Sequence, residues 1–519
     1  MKNSRFLRVG AGFAFAASIA ACNSDKLTNL NANPNSPEDV PAGPLFTNAS
    51  RVASSRWLGT GYSLRGTEWL VQHLSEVQYN DEDRYIRLHA GDTEGTFNGA
   101  YAGELKDFTQ IVNKGIATSQ AGIYGPASVL RTWEFSYLTN TWGDIPYFTA
   151  LVGDSIGGSL SPKYDAQKDI YADMFAQLDK ATKAMAATGV TNSLASADPI
   201  FAGNLLRWQR FANSLRARLA LLLVNVDPTT ANAQLAAAFS APGGVFQSNA
   251  DNAIFKFPGD GVYDNPWSVS FKTRDDHRVS NTLVTILQAN SDPRLPIFAQ
   301  PVPSNPSIYA GSPNGISPAR AAAANYVSNA SRPGAIFYPG KTAYGTFGGA
   351  GSSTPSYLMT YAEVAFIQAE AAERGIGGLT AGQAAGFYNA AIAASLAQWG
   401  VSSANSAAFL ARPGVVYAGG TAGLVQIGQQ KWVALFTDGG TAWAEWRRTC
   451  QPASIKPGVD ASVPNVPRRF EYPVLEYTVN QANVTAAATV LGGDTYAGRM
   501  YIDKSPTAAP TYVAGCGSR

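Results

Sequence analysis

Apolar residues recur along most of the chain at helical spacing. Leu130, Trp133, Tyr137 and Leu138 fall at i, i+3, i+7 and i+8, and the stretch ends at the helix-breaking "GDIP" of 143–146. Ile170, Met174 and Leu178 repeat the spacing, with Tyr171 and Phe175 alongside. Trp208, Phe211, Leu215, Leu219 and Leu222 form a further stripe, with Arg207, Arg210, Arg216 and Arg218 spread around it. "SYLMTYAEVAFIQAEAAERG" at 356–375 predicts another helix, and "AGQAAGFYNAAIAASLAQWG" at 381–400 with "LVQIGQQKWVALF" at 424–436 a helical pair. Between these lie insertions at 226–280 and 290–355, rich in Gly, Pro, Ser, Asn and aromatics, where "AIFKFP" allows minor strands. The predicted fold class is mainly α: a single domain, 46–519, of helix hairpins with loop-rich insertions and minor β. No exact repeat period is visible, so any hairpin repeat is degenerate.

The first residues follow a different pattern. Lys2, Arg5 and Arg8 precede an apolar stretch, Val9 to Ala21, that is shorter than the roughly 20 residues a membrane-spanning helix needs. Ile19-Ala20-Ala21 then stands before Cys22, as in a bacterial lipobox. Residues 1–21 are therefore expected to be a removed signal peptide and Cys22 the lipid attachment site, the alternative being an ordinary cleaved signal with a chance cysteine. Residues 22–45, rich in Asn, Pro and Ser, read as a flexible tether. Asn23, where an aspartate would hint at retention in the inner membrane, favours the outer membrane. Of the remaining cysteines, Cys450 and Cys516 are expected to pair in an oxidising compartment, against the alternative of two separate buried thiols.

Charge narrows the function classes. The chain has 39 basic and 37 acidic residues, a net charge of +2, which leaves no electrostatic case for nucleic acid. His73, His89 and His277 are isolated and no G-x-S-x-G occurs, so neither a zinc site nor a serine triad is indicated, and no cofactor or metal is expected. Glu363 and Glu370 lie seven apart on one helix face among alanines, a spacing that suits packing rather than acid–base work. In "KWVALFTDGGTAWAEWRRTC", Gly439-Gly440 is expected to break the helix. Arg447 there either stacks on an indole or bridges to Glu445 or Glu363.

Sugars lie with their CH faces on aromatic rings and their hydroxyls against amide, carboxylate or Arg groups. Residues 56–101 interleave Trp57, Tyr62, Trp69, Tyr79, Tyr85 and Tyr101 with polar residues including Arg84. A second stretch, 261–276, offers Tyr263, Trp267 and Arg274 in loop context. These ten are the candidate ligand contacts, each with aromatic core or loop packing as its competing reading.

The ordered set of motifs resembles the SusD/RagB family of outer-membrane nutrient-binding lipoproteins. It comprises the lipobox at Cys22, "NLNANPNSPEDV" (29–40), "TWGDIPYFTA" (141–150) and "SDPRLPIF" (291–298), followed by "LMTYAEVAFIQAEAAERG" (358–375), "QKWVALFTDGGTAWAEWRRT" (430–449) and "VPRRFEYPVLEYTVNQANV" (466–484). The resemblance implies a scaffold of degenerate TPR-like hairpins and no catalysis. It further implies a lipid-anchored, surface-exposed protein that captures oligosaccharide and delivers it to a TonB-dependent outer-membrane transporter of the SusC type. Binding residues vary within the family, so the resemblance locates no site. Two alternatives remain: the same architecture carrying peptides or other polymers, and an exported, lipid-anchored glycoside hydrolase.

Overall fold

The computed structural model describes residues 40–86, 90–153, 157–503 and 516–517. The signal segment, Cys22, the tether up to residue 39 and His89 lie outside them.

The principal helices are α1 (Ala42–Trp57), α2 (Ala90–Ala102), α3 (Glu104–Ala117), α4 (Ala121–Trp142), α5 (Gln167–Ala186), α6 (Leu205–Leu222) and α7 (Pro228–Ser240). After the second insertion come α8 (Tyr361–Glu373), α9 (Ala384–Gln398), α10 (Gly420–Ala434) and α11 (Gly439–Thr449). Helices α3 to α7 pack each on the next, and α8 packs on both α9 and α10, as hairpins would. The chain is mainly helical, as the periodicity predicts.

Helix α4 lies at the centre. Trp133, Leu138 and Trp142 are fully buried, so the i, i+3, i+7 stripe is core. Gly143 stops the helix with φ 90°, a conformation only glycine takes without strain, while its N–H bonds the Thr139 carbonyl at 2.8 Å. Asp144 then accepts the N–H of Gln167 at 2.8 Å, capping α5 from a distant turn. The "GDIP" segment is thus architectural throughout.

Among the described residues the strands are short and pair in twos: β1 (Leu74–Glu76) with β5 (His277–Val279), β2 (Ile145–Pro146) with β3 (Tyr164–Asp165), β4 (Ala253–Phe255) with β8 (Ser356–Met359), and β6 (Lys341–Thr342) with β7 (Gly345–Thr346). Each pair is antiparallel.

Two local expectations need correction. Residues 228–240 within the first insertion form α7, with Pro228 at the first helical position and Asp227 accepting the N–H of Thr230 at 3.1 Å. Gly439 and Gly440 begin α11 rather than break a helix. A Cβ on Gly439 would meet Thr67 Oγ1 at 2.6 Å, and one on Gly440 would meet the Tyr62 ring at 2.7 Å, so these glycines admit close approach of the 60–70 segment.

Buried ion pairs tie the helices together. Glu363 takes both Arg218 Nε and Nη2 at 2.6 Å, joining α8 to α6. Glu370, on the same face, takes Arg448 at 2.5 and 2.7 Å, joining α8 to α11. Arg447 bridges to neither Glu445 nor Glu363. Its guanidinium lies 4.0 Å from the Trp443 ring and donates to the carbonyls of Arg468 and Asn140, each at 2.6 Å. Cys450 and Cys516 are joined in a disulfide, with Cα atoms 5.5 Å apart.

Candidate functional site

The pairing of β1 with β5 sets Glu76 opposite His277 and brings two loops to one end of that ladder. One is 77–86, which leaves β1; the other is 272–276, which leads into β5. Val77 N–H continues the ladder by donating to the Asp276 carbonyl at 3.0 Å.

Tyr79, on the first loop, is 70% exposed, and Arg274, on the second, lies with its guanidinium carbon 5.1 Å from the Tyr79 ring centre. Arg274 is itself held from below. Its Nε donates to Asp276 Oδ1 at 3.1 Å, and its Nη2 reaches Glu76 Oε1 at 3.3 Å and bonds Asp276 Oδ2. Glu76, Asp276 and His277 are all buried, and their donor atoms lie within 4.8 Å of one another. Chemically they make a cation-binding set, but the Arg274 guanidinium already stands against both carboxyls, so they are not read as metal ligands.

The electrostatics follow from crowding. Burial, with Asp276 beside it, pushes the Glu76 carboxyl well above the ordinary range. Burial opposes ionisation of Asp276 too, yet hydrogen bonds from His277, Glu76 and Arg274 hold it well below that range. Burial also lowers His277, against the pull of Asp276, which favours the neutral ring.

The hairpin β6–β7 hangs over the second loop. Ala343 N–H bonds the Lys272 carbonyl at 2.9 Å, and Tyr344, 51% exposed, donates its hydroxyl to the Thr273 carbonyl at 3.0 Å. Arg332 clamps Asp275 at 2.5 and 2.6 Å, fixing the same loop from its other side. Upstream, Lys272 pairs with Asp264 at 2.7 Å, and the neighbouring Tyr263 is 46% exposed with Arg51 4.9 Å from its ring centre. The 263–276 segment therefore carries or contacts three exposed tyrosines and cationic groups. Rings with open faces beside hydrogen-bond donors can receive the CH faces and hydroxyl rim of a sugar.

The ten sequence candidates divide. Tyr79, Tyr263 and Arg274 reach this surface. Arg84 is half-buried and donates to the Asp460 carbonyl at 3.2 Å, which fixes the 77–86 loop. Tyr101 is half-buried and donates its hydroxyl to the Pro146 carbonyl at 2.5 Å, bracing β2. Trp57, Tyr62, Trp69, Tyr85 and Trp267 are buried and offer no open ring face. Trp57 donates to Glu134 at 3.0 Å, Tyr62 shares a hydrogen bond with Thr141 at 2.7 Å, Trp69 lies against His277, and Trp267 packs against Phe337 and Phe436. Their assignment to a ligand surface is corrected to core. Tyr344 was not among the candidates, though a tyrosine next to glycine in the "AYGTFGG" hairpin is a sequence signal for exposure.

On the other side of the 77–86 loop lies a cleft of about 480 Å3, lined by Tyr85, Ile86, Val463, Asn465, Glu471 and Tyr496 among others. Ser462 closes its wall through the Arg84 and Tyr85 carbonyls at 2.8 and 2.6 Å.

Comparison with known proteins agrees with this architecture. A solved structure described as a chitin-binding protein is 27% identical, with a TM-score of 0.74 over 90% of this chain and 100% of its own. A chitin-binding SusD homolog from Flavobacterium johnsoniae is 24% identical, with a TM-score of 0.75 over 89% and 98% of the two chains. A SusD homolog from Parabacteroides distasonis is 23% identical, with a TM-score of 0.75 over 91% and 100%. No curated protein sequence matches. The family model SusD-like_2, described as starch-binding and associating with the outer membrane, matches residues 34–473, and the chain belongs to that SusD-like family.

Proposed function

We propose that the chain is a non-catalytic, lipid-anchored binding protein that captures oligosaccharide on the surface built by Tyr79, Arg274, Tyr344 and Tyr263 and hands it to a TonB-dependent outer-membrane transporter. The observation that carries this reading is the Tyr79 ring, exposed on one face and backed by a guanidinium that two buried carboxyls hold in place. A ring fixed in this way costs little ordering entropy when a ligand covers it. The description of the family as starch-binding and of one relative as chitin-binding supports a polysaccharide-derived ligand.

The two carboxyls that hold Arg274, Glu76 and Asp276, are buried, which does not suit them to act on a ligand as acid and base. Titrating the 23–519 protein with chito-oligosaccharides, malto-oligosaccharides and peptides, followed by product analysis, tests the reading. Saccharide binding without products is expected. Peptide binding alone would move the cargo to another polymer, and released products would make the protein a hydrolase.

Among the described residues no helix is long and apolar enough to cross a membrane. In this reading the lipid on Cys22 attaches the protein to the membrane. Cys22→Ala is expected to move the protein from the membrane to the soluble fraction and to abolish labelling by a fatty-acid probe. Label persisting on the variant would refute attachment at Cys22. Recovery of a TonB-dependent barrel with the wild-type protein from solubilised membranes tests the transporter step.

A further inference from the structure

Two carboxyls, one guanidinium and one imidazole meet beneath Tyr79, and their bonds are unequally shared. Asp276 has three donors: Arg274 Nε at 3.1 Å, Arg274 Nη2, and His277 Nδ1 at 3.0 Å. Glu76 has one, the same Arg274 Nη2 at 3.3 Å, and among the described residues its Oε2 has no partner although the residue is 0% exposed. His277 must carry its proton on Nδ1 to serve Asp276. Its Nε2 is likewise buried and without a partner among the described residues, so a second proton there would be a buried, uncompensated charge.

One positive charge, itself partly exposed, thus faces two carboxyls that are closed to water. The other groups facing Glu76 add no cation: Asp83, on the 77–86 loop, accepts the Glu76 backbone N–H at 3.3 Å, and its carboxyl is occupied by Asn314 at 2.8 Å. Arg65, from the 60–67 turn, acts on His277 and favours the neutral ring. Charge balance therefore requires a proton, and the carboxyl with fewer donors takes it.

We infer that Glu76 is a positioning residue for the ligand surface: its un-ionised carboxyl shares its proton with Asp276, leaving Arg274 balanced between the pair and stacked beneath Tyr79. The surface is thereby coupled to a protonation state. Loss of the proton puts two like charges within 4.8 Å, separates the carboxyls that hold Arg274, and withdraws the support of the Tyr79 ring. Glu76 touches no ligand in this arrangement.

The inference rests on the reading of the Tyr79 surface as the ligand site, so its test has one arm that needs no ligand. Infrared difference spectra at neutral pH, wild type minus Glu76→Gln, are expected to show the carbonyl band of an un-ionised carboxylic acid, and wild type minus Asp276→Asn the same band, because Glu76 then becomes the sole carboxylate of Arg274. Absence of the band in both differences overturns the proposal. In the second arm, wild-type affinity for the bound oligosaccharide falls by about tenfold as rising pH removes the proton shared by the pair, whereas Glu76→Gln keeps its affinity across the same range. An equal loss in both proteins overturns the positioning role. If wild type binds none of the oligosaccharides, the surface reading fails and the infrared arm still decides the pair.

Discussion

Tyr79→Ala is expected to weaken oligosaccharide binding by about 2 kcal/mol, roughly thirtyfold in Kd, while leaving the unfolding transition within about 0.5 kcal/mol of wild type. The separation follows from geometry. With 70% of the residue exposed, little folding energy rests on the ring, so its removal creates no cavity. What is lost is an apolar face held in place from below by the Arg274 guanidinium. Calorimetric titration with the best-binding glycan, alongside denaturant unfolding, measures both quantities. Unchanged affinity would move the ligand site away from this loop, and the cleft behind it, between Ile86 and Val463, would be the next surface to test. Tyr344→Ala should behave in the same sense with a smaller loss, because the Tyr344 hydroxyl is already engaged by the Thr273 carbonyl.

That Tyr79 separates from Trp57, Tyr62, Trp69 and Tyr85 could not be read from the sequence. All lie in one aromatic, polar stretch with no helical period long enough to mark an inner face. What sorts them is the pairing of β1 with β5, roughly two hundred residues away, which draws 57–76 beneath the helices and leaves Tyr79 outside, while the chain turns back at Tyr85, with φ 60°, and buries that ring. The sequence pattern is informative where burial is periodic. The stripes of α4 and α6 are core residue for residue at Trp133, Leu138, Trp208, Phe211 and Leu215. It fails where a contact depends on backbone approach. Gly439 and Gly440 look like helix breakers, yet they begin a helix capped by Asp438, and they are glycines because Thr67 and Tyr62 lie where a Cβ would be. The same limit hid α7, whose alanine-rich face shows little apolar contrast, although Asp227-Pro228 announces its start.

Of the two adjacent arginines in "EWRRT", the second should prove far more important for stability than a surface charge. Arg448→Met is expected to cost about 3–5 kcal/mol of unfolding free energy, read from denaturant midpoints. Its guanidinium lies between Glu370 and Glu445, contacting both at 2.5 Å, while Lys431 takes the other Glu445 oxygen at 2.8 Å and Arg374 reaches Glu370 at 2.8 Å. Arg448, Lys431 and both glutamates are almost fully buried, so the substitution leaves carboxylates with too few donors and no water. Burial alone would raise Glu370, but Arg448 and then Arg374 hold it well below the usual carboxylate range. A depressed folded-state pKa stabilises the fold above the unfolded value near 4.3 and is lost as pH falls through the folded one, so wild type should weaken on acidification below about pH 4. Arg448→Met should remove much of that dependence by raising Glu370 towards its unfolded value. If the cost is the stranded charge rather than lost packing, adding Glu370→Met to Arg448→Met should restore part of the stability, because Glu445 keeps Lys431 as its partner and apolar groups of similar size replace a buried ion pair at little net cost. An equally destabilised double variant would instead assign the energy to the geometry by which the pair locks α8 onto α11.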